Sequence, residues 1–472
     1  MADRVSVDPG SLRDTPATSP TRMRYLMICM GTLVAVLLYL DRICLSTAIA
    51  SVKQDLGISR DQGDLLLGAF FWSYALGQLP AGWLGDRYGA RWMLGLFILL
   101  WSVSTGLLGF ATTLAGVWWL RLSCGLFEAG AYPLAAGIVR RWVPLHSRGV
   151  ASSFIAVGGR LGGALAPVFT IQLMLWWTFG AEWSDLPKDA EADIRSWRPV
   201  MMVYGGAGVV IAGLFVIFFR DWPEEHPLVN EAERRLIEPD RAVASVRPSR
   251  SLELPPVWAM IRSLPMWMNC LVQFAANLGW AFLVTSLPVF LKERYGTSQE
   301  STGWLQSLPL AAGIVGLFAG GLFTDRLTRA FGLKWGRSLA LAASRLLVVA
   351  AFLAVPFAGS DVQAALCLAV VGLATDLGTP ACWAFGQDVG GRFVASAVGW
   401  ANMWGNFGAA LSPSFFGMFV TEGSTDWNTA FVMCAAVNGL AAVAALGMNA
   451  SKPLLPPPPA TTPPDQPDFP QQ

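Results

Sequence analysis

The chain has 472 residues, of which 54% are apolar and only 14% are charged. A typical soluble domain is about 25% charged, so this composition excludes an ordinary soluble protein and indicates a membrane protein. The formal net charge of +1 gives no indication of nucleic-acid binding.

Apolar runs long enough to cross a bilayer recur along the whole chain. A hydrocarbon core of about 30 Å requires about 20 apolar residues in a helix. Twelve runs satisfy this requirement, which predicts an all-α membrane protein with twelve transmembrane helices. The predicted spans are residues 25–51, 62–84, 91–112, 115–139, 149–176, 198–219, 266–291, 302–324, 337–357, 362–386, 395–420 and 427–448.

The distribution of Lys and Arg predicts the orientation of these helices. With both termini in the cytoplasm, that side carries 22 basic residues and the opposite side carries 7. Basic residues concentrate on the cytoplasmic side of membrane proteins, so we expect both termini to be cytoplasmic. The remaining basic residues lie within spans, and they are Arg42, Arg121, Arg160 and Arg345.

The longest loop, at residues 220–265, separates two groups of six spans. This basic segment is expected to be a cytoplasmic linker, and its stretch "PEEHPLVNEAERRLIEPDR" is typical of a surface helix. The groups on either side, residues 22–219 and 266–450, are expected to be the two domains. The tails, residues 1–21 and 451–472, are rich in Pro, Ser, Thr and Asp, which is typical of disordered segments.

One short pattern occurs twice, at the same place in each group of six spans. The chain reads "GWLGDRYGAR" at 82–91, after the second span, and "GGLFTDRLTRAFG" at 320–332, after the eighth. Both stretches place glycine and then Asp-Arg at the predicted cytoplasmic end of a helix. A shared motif at equivalent positions indicates two related halves, as in large secondary transporters.

The longer stretch "GQLPAGWLGDRYGARWML" resembles the signature loop of the major facilitator superfamily. Further stretches resemble its anion–cation symporter branch, which includes bacterial galactonate and hexuronate transporters and animal sialic acid and vesicular glutamate transporters. These stretches are "YLDRICLSTAI", "RLSCGLFEAGAYPLAAGIVRRWVP", and "PEEHP" followed by "EAERRLI". The resemblance covers residues 23–450.

This resemblance implies two six-helix bundles around a central cavity that opens alternately to the two sides of the membrane. It implies a monomeric proton symporter that imports an organic anion, such as a hexuronate or aldonate, across the cell (inner) membrane. An antiporter or exporter of organic anions and a ligand sensor without transport are the alternatives. An enzyme, a cofactor and a metal are not expected, since the sequence has no nucleophile–base pair, nucleotide loop or metal-ligand set.

Asp41 and Arg42 lie deep within the first span, where charged groups are rare and usually face a cavity or a partner. Because successive helical residues point about 100° apart, the two side chains cannot share one face of the helix. We expect Arg42 to face the central cavity and Asp41 to face a neighbouring helix. A mutually satisfied structural pair is the alternative.

Arg121 and Glu128 in the fourth span are separated by close to two helical turns, so they lie on one face. An arginine fork matches a carboxylate, and burial near the membrane centre favours the protonated form of a glutamate. We therefore expect Arg42 and Arg121 to bind the anionic substrate, and Asp41 and Glu128 to carry protons. A static pair within the helix is the alternative for Arg121 and Glu128.

By the same resemblance, four further positions match substrate contacts of sugar-acid transporters. These positions are Tyr39, Tyr74, Trp383 and Asn402. A tyrosine hydroxyl in an apolar wall suits a polyhydroxy acid. For the two tyrosines, an ordinary packing role is the alternative.

The fifth span departs from the pattern of those transporters. Gly159 stands where sugar-acid members often carry an amide or hydroxyl residue, and Arg160 follows it. We expect Arg160 either to contact substrate, to pair with Asp41 or Glu128, or to reach the cytoplasmic surface. A substrate contact would imply a more acidic or bulkier substrate.

The tenth span contains a second departure, the additional carboxylate Asp376. A carboxylate within a membrane requires a partner, and these residues usually pair with one another. We expect Asp376 to form a buried structural pair with Arg345 of the ninth span, and a position in the central cavity is the alternative.

By the same resemblance, the two Asp-Arg motifs are expected to form a conformational latch, and a role in loop solubility and membrane orientation is the alternative. Asp86 is expected to pair with a basic residue at a neighbouring helix end, either Arg140 or Arg141. Such a pair would stabilise the outward-facing state and bias a two-state equilibrium. The full predicted latch comprises Asp86, Arg87, Arg91, Arg140, Arg141, Asp325 and Arg326.

Overall fold

The computed structural model describes residues 19–179, 196–237, 254–421 and 424–455. The described residues are predominantly helical, and the two-residue strands Val420–Thr421 and Ser424–Thr425 form one short antiparallel hairpin. The predicted disorder of the two tails concerns residues that lie largely outside the described part of the chain.

The described part of the first half contains eight helices. They are α1 (Met23–Thr47), α2 (Ile49–Leu56), α3 (Arg60–Tyr88), α4 (Ala90–Leu108), α5 (Leu114–Glu128), α6 (Ala131–Trp142), α7 (Arg148–Phe179) and α8 (Trp197–Phe218). The first predicted span is interrupted at Ala48, between α1 and α2. The fourth is interrupted at Ala129 and Gly130, between α5 and α6.

The second half follows two short helices, α9 (Glu231–Ile237) and α10 (Val257–Arg262). Its helices are α11 (Leu264–Thr285), α12 (Leu287–Tyr295), α13 (Gln299–Ala354), α14 (Asp361–Val389), α15 (Val394–Gly417) and α16 (Trp427–Gly447). α13 is interrupted at Gly332, whose φ of 74° and ψ of 177° are not helical. Glycine adopts this conformation without the steric cost of a Cβ, so the chain reverses there between two spans.

Nine segments among the described residues are long and apolar enough to cross a membrane, judged by length and composition. One of them, Ser301–Phe357, contains both spans of α13. α3 and α15, with 29 and 24 residues, also have spanning length. These helices account for the twelve predicted spans, six in each half of the chain.

Polar residues define where several of these helices begin. Ser59, Ser360 and Asp426 each accept a hydrogen bond from the backbone N–H three residues later, at the start of α3, α14 and α16. The first N–H groups of a helix have no partner within the helix, and these side chains provide one.

Each half encloses its own apolar core. Trp101 and Trp142 are fully buried in the first half, where α1 packs along α7 and α4 along α8. Phe282 and Phe431 are buried in the second half, where α13 packs along α14 and α11 along α15. Most buried apolar residues thus pack within their own half, although Ala395 of the second half joins the core of the first.

Glu233 of α9 ties the segment between the halves to the start of α1. Its carboxylate accepts hydrogen bonds from Thr21 Oγ1, from the N–H groups of Met23 and Arg24, and from the Arg24 guanidinium. Glu233 is fully buried. Among the described residues of the stretch predicted as a surface helix, only Glu231–Ile237 are α-helical, and Glu233 caps the N-terminus of α1.

Both described chain ends lie at one end of the molecule, called here the terminal end. Asn230, beside Glu233, bonds to Thr21, and Ser338 bonds to the carbonyl of Met448.

Near this end of the molecule, burial and the charge of Arg220 lower the pKa of His226, so this imidazole is neutral at pH 7.

Candidate functional site

A buried ion pair joins α1 and α5 in the first half. Arg42 donates from Nε and Nη2 to Glu128 Oε2 at 3.2 and 3.1 Å. The Glu128 side chain is fully buried, and that of Arg42 is 12% exposed. Because a buried charge is costly without compensation, this contact holds both groups in place.

Arg121 of α5 lies beside this pair. Its Nη2 donates to the backbone carbonyl of Arg42 at 2.8 Å. Its Nε and Nη1 are buried and have no hydrogen-bond partner in the part of the chain that the structure describes. Buried donors are rarely left without an acceptor, so Arg121 has the hydrogen-bonding capacity to receive an anionic group.

Asp41 points away from Arg42, toward α4. Trp101 Nε1 donates to Asp41 Oδ2 at 3.0 Å, and Asp41 Oδ1 has no partner among the described residues. Both side chains are fully buried. The side chains of Asp41 and Arg42 therefore point in different directions, as the rotation of the helix predicts. The contact of Asp41 with Trp101 was not predicted from the sequence.

Aromatic rings lie beside Arg42 and Arg121. Arg42 Cζ lies 4.3 Å from the ring centre of Tyr74, 4.9 Å from that of Tyr39 and 5.0 Å from that of Phe70. Arg121 Cζ lies 4.5 Å from the centre of the same Phe70 ring. Phe70 was not predicted as a site residue, although its four-residue spacing from Tyr74 places both on one helical face.

A second ion pair connects the two halves. Arg160 of α7 donates from Nε and Nη2 to the two carboxylate oxygens of Asp376 of α14, at 3.1 and 2.7 Å. Of the predicted alternatives for Arg160, pairing with Asp41 or Glu128 is therefore wrong. The bond is bidentate, which is the strong geometry for an arginine–carboxylate pair.

The expected pair between Asp376 and Arg345 is also wrong. Arg345 donates to three neutral acceptors, the hydroxyl of Ser344, the amide oxygen of Asn438 and the carbonyl of Thr375. The error arose because sequence gives the approximate depth of a charged residue but not the direction of its side chain across an interface.

Polar and aromatic contacts between the halves lie next to these charges. Asn402 of α15 donates to Gln78 of α3 at 3.0 Å. The ring of Trp383 on α14 lies 5.0 Å from that of Tyr132 on α6. Both predicted residues, Trp383 and Asn402, therefore lie at the interface between the halves.

The first Asp-Arg motif joins the halves at the terminal end. Asp86, at the end of α3, accepts hydrogen bonds from the N–H groups of Ala395 and Ser396 and from the Ser396 hydroxyl, at 2.9, 2.7 and 2.7 Å. These amides are at the start of α15, where N–H groups lack helical partners and the helix dipole attracts an anion.

The second motif repeats this arrangement in the opposite direction. Asp325 of α13 accepts hydrogen bonds from the N–H groups of Gly149 and Val150, at 3.0 and 2.9 Å, at the start of α7. A Cβ at position 149 would overlap the Asp325 carboxylate, so glycine allows this close approach. Each motif therefore contacts the N-terminus of a helix in the other half.

The expected pairing of Asp86 with Arg141 is wrong. Arg141 forms an ion pair with Asp221 at 2.7 Å, within the first half. Arg91 donates to the carbonyl of Val216, and the Arg87 guanidinium lies 5.1 Å from the ring centre of Tyr88.

Two further basic residues, Arg140 and Arg326, belong to the predicted latch. Arg140 lies in the last turn of α6, and Arg326 is exposed. The described hydrogen bonds of Asp86 and Asp325 are thus with helix N-termini, and Asp325 also forms an ion pair with Arg337 of its own half.

A buried charge cluster completes the closure of the terminal end. Asp388 of α14 accepts hydrogen bonds from Arg148 of α7 at 2.7 Å and from Arg337 of α13 at 3.0 Å. Arg337 also lies 3.5 Å from Asp325. Asp388 was not predicted as a site residue, since a single acidic residue near a predicted helix end carries no distinctive pattern.

The hydrogen bonds that join the halves are concentrated between the terminal end and the Arg160–Asp376 pair. They include the contacts of Asp86, Asp325 and Asp388 and the bond from Ser153 Oγ to the carbonyl of Leu317 at 2.8 Å. The molecule is therefore clamped at its terminal end.

Comparison with known proteins agrees with this architecture. The Major Facilitator Superfamily matches residues 31–413 and also 270–471. A probable sulfoacetate transporter of Cupriavidus necator is 27% identical over 439 residues, covering 91% of this chain and 94% of the relative. A probable galactarate/D-glucarate transporter of Bacillus subtilis is 31% identical over 447 residues, covering 91% and 92%.

Solved structures give the same fold. The Escherichia coli fucose:proton symporter superposes with a TM-score of 0.67 at 15% identity, covering 91% of this chain and 100% of that one. The proton:xylose symporter superposes with a TM-score of 0.63, covering 89% and 94%. The chain belongs to the Major Facilitator Superfamily, and it is a multi-pass membrane transporter rather than an enzyme.

Proposed function

We propose that this protein is a secondary active transporter that imports an organic anion of the sugar-acid class together with protons, by alternating access. The names of its relatives, which refer to galactarate, D-glucarate and sulfoacetate, support an anionic substrate. The buried charges between α1 and α5 support a role for protons.

One observation carries this proposal: Arg121 has two buried donors without described acceptors, directly beside the Arg42–Glu128 ion pair. An anionic group that enters here is attracted by both guanidiniums. Protonation of Glu128 removes its negative charge and releases Arg42 for the incoming anion. Substrate binding and proton binding are thereby linked, because both change the same ion pair.

Asp41 is the second proton carrier in this proposal. It is buried, it has one carboxylate oxygen without a described partner, and Trp101 holds the other. A carboxyl group in this environment can accept a proton without disturbing Arg42, which points in another direction. Tyr39, Tyr74, Trp383 and Asn402 would contact the uncharged part of the substrate.

The clamped terminal end supports an outward-facing state. With both termini in the cytoplasm, the contacts of Asp86 and Asp325 close the cytoplasmic side, so an anion would reach the charged centre from outside. Release of these contacts would open the cytoplasmic side and complete the transport cycle.

The test is uptake into proteoliposomes with an external pH below the internal pH, using galactarate, D-glucarate, D-galactonate and sulfoacetate. Glutamine keeps the hydrogen-bonding shape of glutamate but cannot carry a proton. We therefore expect Glu128→Gln to reduce uptake to the level seen without a gradient, while exchange of labelled for unlabelled substrate continues.

Glu231→Gln is the matched control, since Glu231 is exposed on α9 and pairs with Arg235 of the same helix. Its uptake should equal that of the wild type. Full gradient-driven uptake by Glu128→Gln would exclude a proton-carrying role for Glu128. If the pH gradient has no effect on wild-type uptake of any of the four anions, the proposed function is overturned.

A further inference from the structure

The Arg160–Asp376 pair lies between the halves and has no role in the transport mechanism proposed above. It connects the halves at the inner limit of the clamped region, through two hydrogen bonds of 3.1 and 2.7 Å. The Arg160 side chain is 18% exposed and that of Asp376 is 6% exposed. The arginine is therefore the more accessible partner of the pair.

The backbone that carries Arg160 is fixed by close packing of α7 against α1. A Cβ at Gly158 would overlap the backbone of Thr32, and one at Gly162 would overlap the backbone of Val36. Arg160, located between these glycines in sequence, reaches instead to the second half, where its Cζ lies 4.9 Å from the ring centre of Trp280.

Arg160 is also near the charged centre of the first half. The preceding residue, Gly159, is so close to the Tyr39 ring that a Cβ there would lie 2.8 Å from it. The same tyrosine is also close to Arg42, whose Cζ is 4.9 Å from the ring centre. Tyr39 thus contacts Arg42 and the residue next to Arg160, which places two cationic residues in one region and suits a ligand with an anionic group at each end.

Arg345 provides an alternative partner for Asp376. It is 1% exposed and has no carboxylate within ion-pair distance in the described part of the chain. Its Nη2 donates to the carbonyl of Thr375, the residue before Asp376, at 3.0 Å. Buried cations are normally paired, so Arg345 is an available charge next to Asp376.

We propose that Arg160 binds the second anionic group of a dianionic substrate, and that Asp376 is the resident counter-ion that this group displaces. The displaced carboxylate turns to Arg345. A dianion therefore breaks the central contact between the halves, whereas a monoanion leaves it intact. This inference rests on the proposed function, because it assumes that an anion binds beside Arg42 and Arg121.

The test compares the binding of galactarate and D-galactonate to purified protein by titration calorimetry. The two acids differ at one end of the chain, where galactarate has a carboxylate and galactonate a hydroxymethyl group. The variant is R160Q/D376N, which keeps amide hydrogen bonding across the interface without burying an unpaired charge. The matched control is D55N/R198Q, which alters an ion pair of 2.9 Å outside the charged centre.

We expect the wild type and the control to prefer galactarate. In R160Q/D376N this preference should fall by about tenfold or more, as expected for the loss of a charge-assisted contact. In Asp376→Asn alone, galactarate should bind several-fold more tightly than in the wild type, because its competitor for Arg160 is removed. A purely structural Asp376 would instead weaken the binding of both acids.

Four results separate the inference from the proposed function. An unchanged preference in R160Q/D376N, or weaker galactarate binding in Asp376→Asn, overturns the inference alone. Equal binding of the two acids by the wild type also overturns it and leaves anion transport standing. If the wild type binds neither these acids nor sulfoacetate, the proposed function itself fails.

Discussion

At the scale of single residues, adjacent charges in a membrane helix have separate surroundings. Asp41 bonds to Trp101 of α4, and Arg42 pairs with Glu128 of α5. A rotation of about 100° between successive residues divides the dipeptide in this way. Each charge is tolerated because it meets a polar partner within the protein rather than lipid.

The bond from Trp101 to Asp41 predicts a loss of stability when it is removed. Trp101→Phe keeps an aromatic ring but leaves the buried Asp41 carboxyl group without its described donor. A buried polar group without a partner costs about 1–3 kcal/mol, so the melting temperature should fall measurably. Thermal unfolding in detergent, followed by intrinsic fluorescence or calorimetry, measures this effect.

Trp118→Phe is the control for this variant. Trp118 Nε1 is buried and has no hydrogen-bond partner among the described residues, so its removal breaks no described bond. Equal melting temperatures for the two variants would show that the Trp101 hydrogen bond does not contribute to stability, and that only the change in ring size matters.

At the scale of helices, α7 shows how glycine positions a functional side chain. Gly158 and Gly162 lie against backbone atoms of α1, and small residues allow helices in a membrane to approach this closely. Arg160 lies between them in sequence and extends to Asp376 of the other half. The packing of α7 on α1 thus fixes the position of Arg160.

Gly162→Ala should lower the stability of the first half. The new methyl group would overlap the backbone of Val36, which cannot move as freely as a side chain. Overpacking of this kind costs about 1–3 kcal/mol. The control is Gly213→Ala in α8, where a Cβ meets no atom within 4 Å. If Gly162→Ala melts at as high a temperature as the control, the close contact between Gly162 and Val36 is contradicted.

At the scale of the whole molecule, the two halves are joined by reciprocal contacts. Asp86 of the first half contacts the start of α15, and Asp325 of the second half contacts the start of α7. The repeated motif therefore produces an approximately symmetric clamp. Each aspartate uses the unpaired N–H groups and positive end of a helix, and Asp325 is in addition paired with Arg337.

Loss of either aspartate should shift the molecule toward opening at the terminal end. Asp86→Asn and Asp325→Asn remove a charge from these contacts, and each 1.4 kcal/mol lost changes the ratio of the two states about tenfold. The measurement is the rate at which a thiol reagent modifies a cysteine placed at Ser152, in a background without native cysteines. Ser152 is 1% exposed at this interface.

We expect faster modification in each variant and the fastest in the double variant. Asp61→Asn, at an exposed position in the first turn of α3, should react at the wild-type rate. Rates in Asp86→Asn and Asp325→Asn that match this control would exclude a clamping role for the motifs.

Much of the fold was predictable, because hydrophobic length alone locates helices that must satisfy their backbone hydrogen bonds within a bilayer. The twelve spans are present at the predicted positions, and the break at Gly332 separates two of them. The partners of Asp86, Arg160 and Asp376 were not predictable. They lie in the opposite half, and sequence distance contains no information about which helices meet there.

The sequence by itself determined the number of spans, the repeated motifs and the approximate depth of each charged residue. It also determined that Asp41 and Arg42 diverge, since that follows from helical rotation alone. Tertiary structure decided the partner of each charge: Glu128 for Arg42, Asp376 for Arg160, and helix N-termini for the two motifs. The reason is physical, because depth and rotation are properties of one helix, whereas a partner depends on how two helices pack.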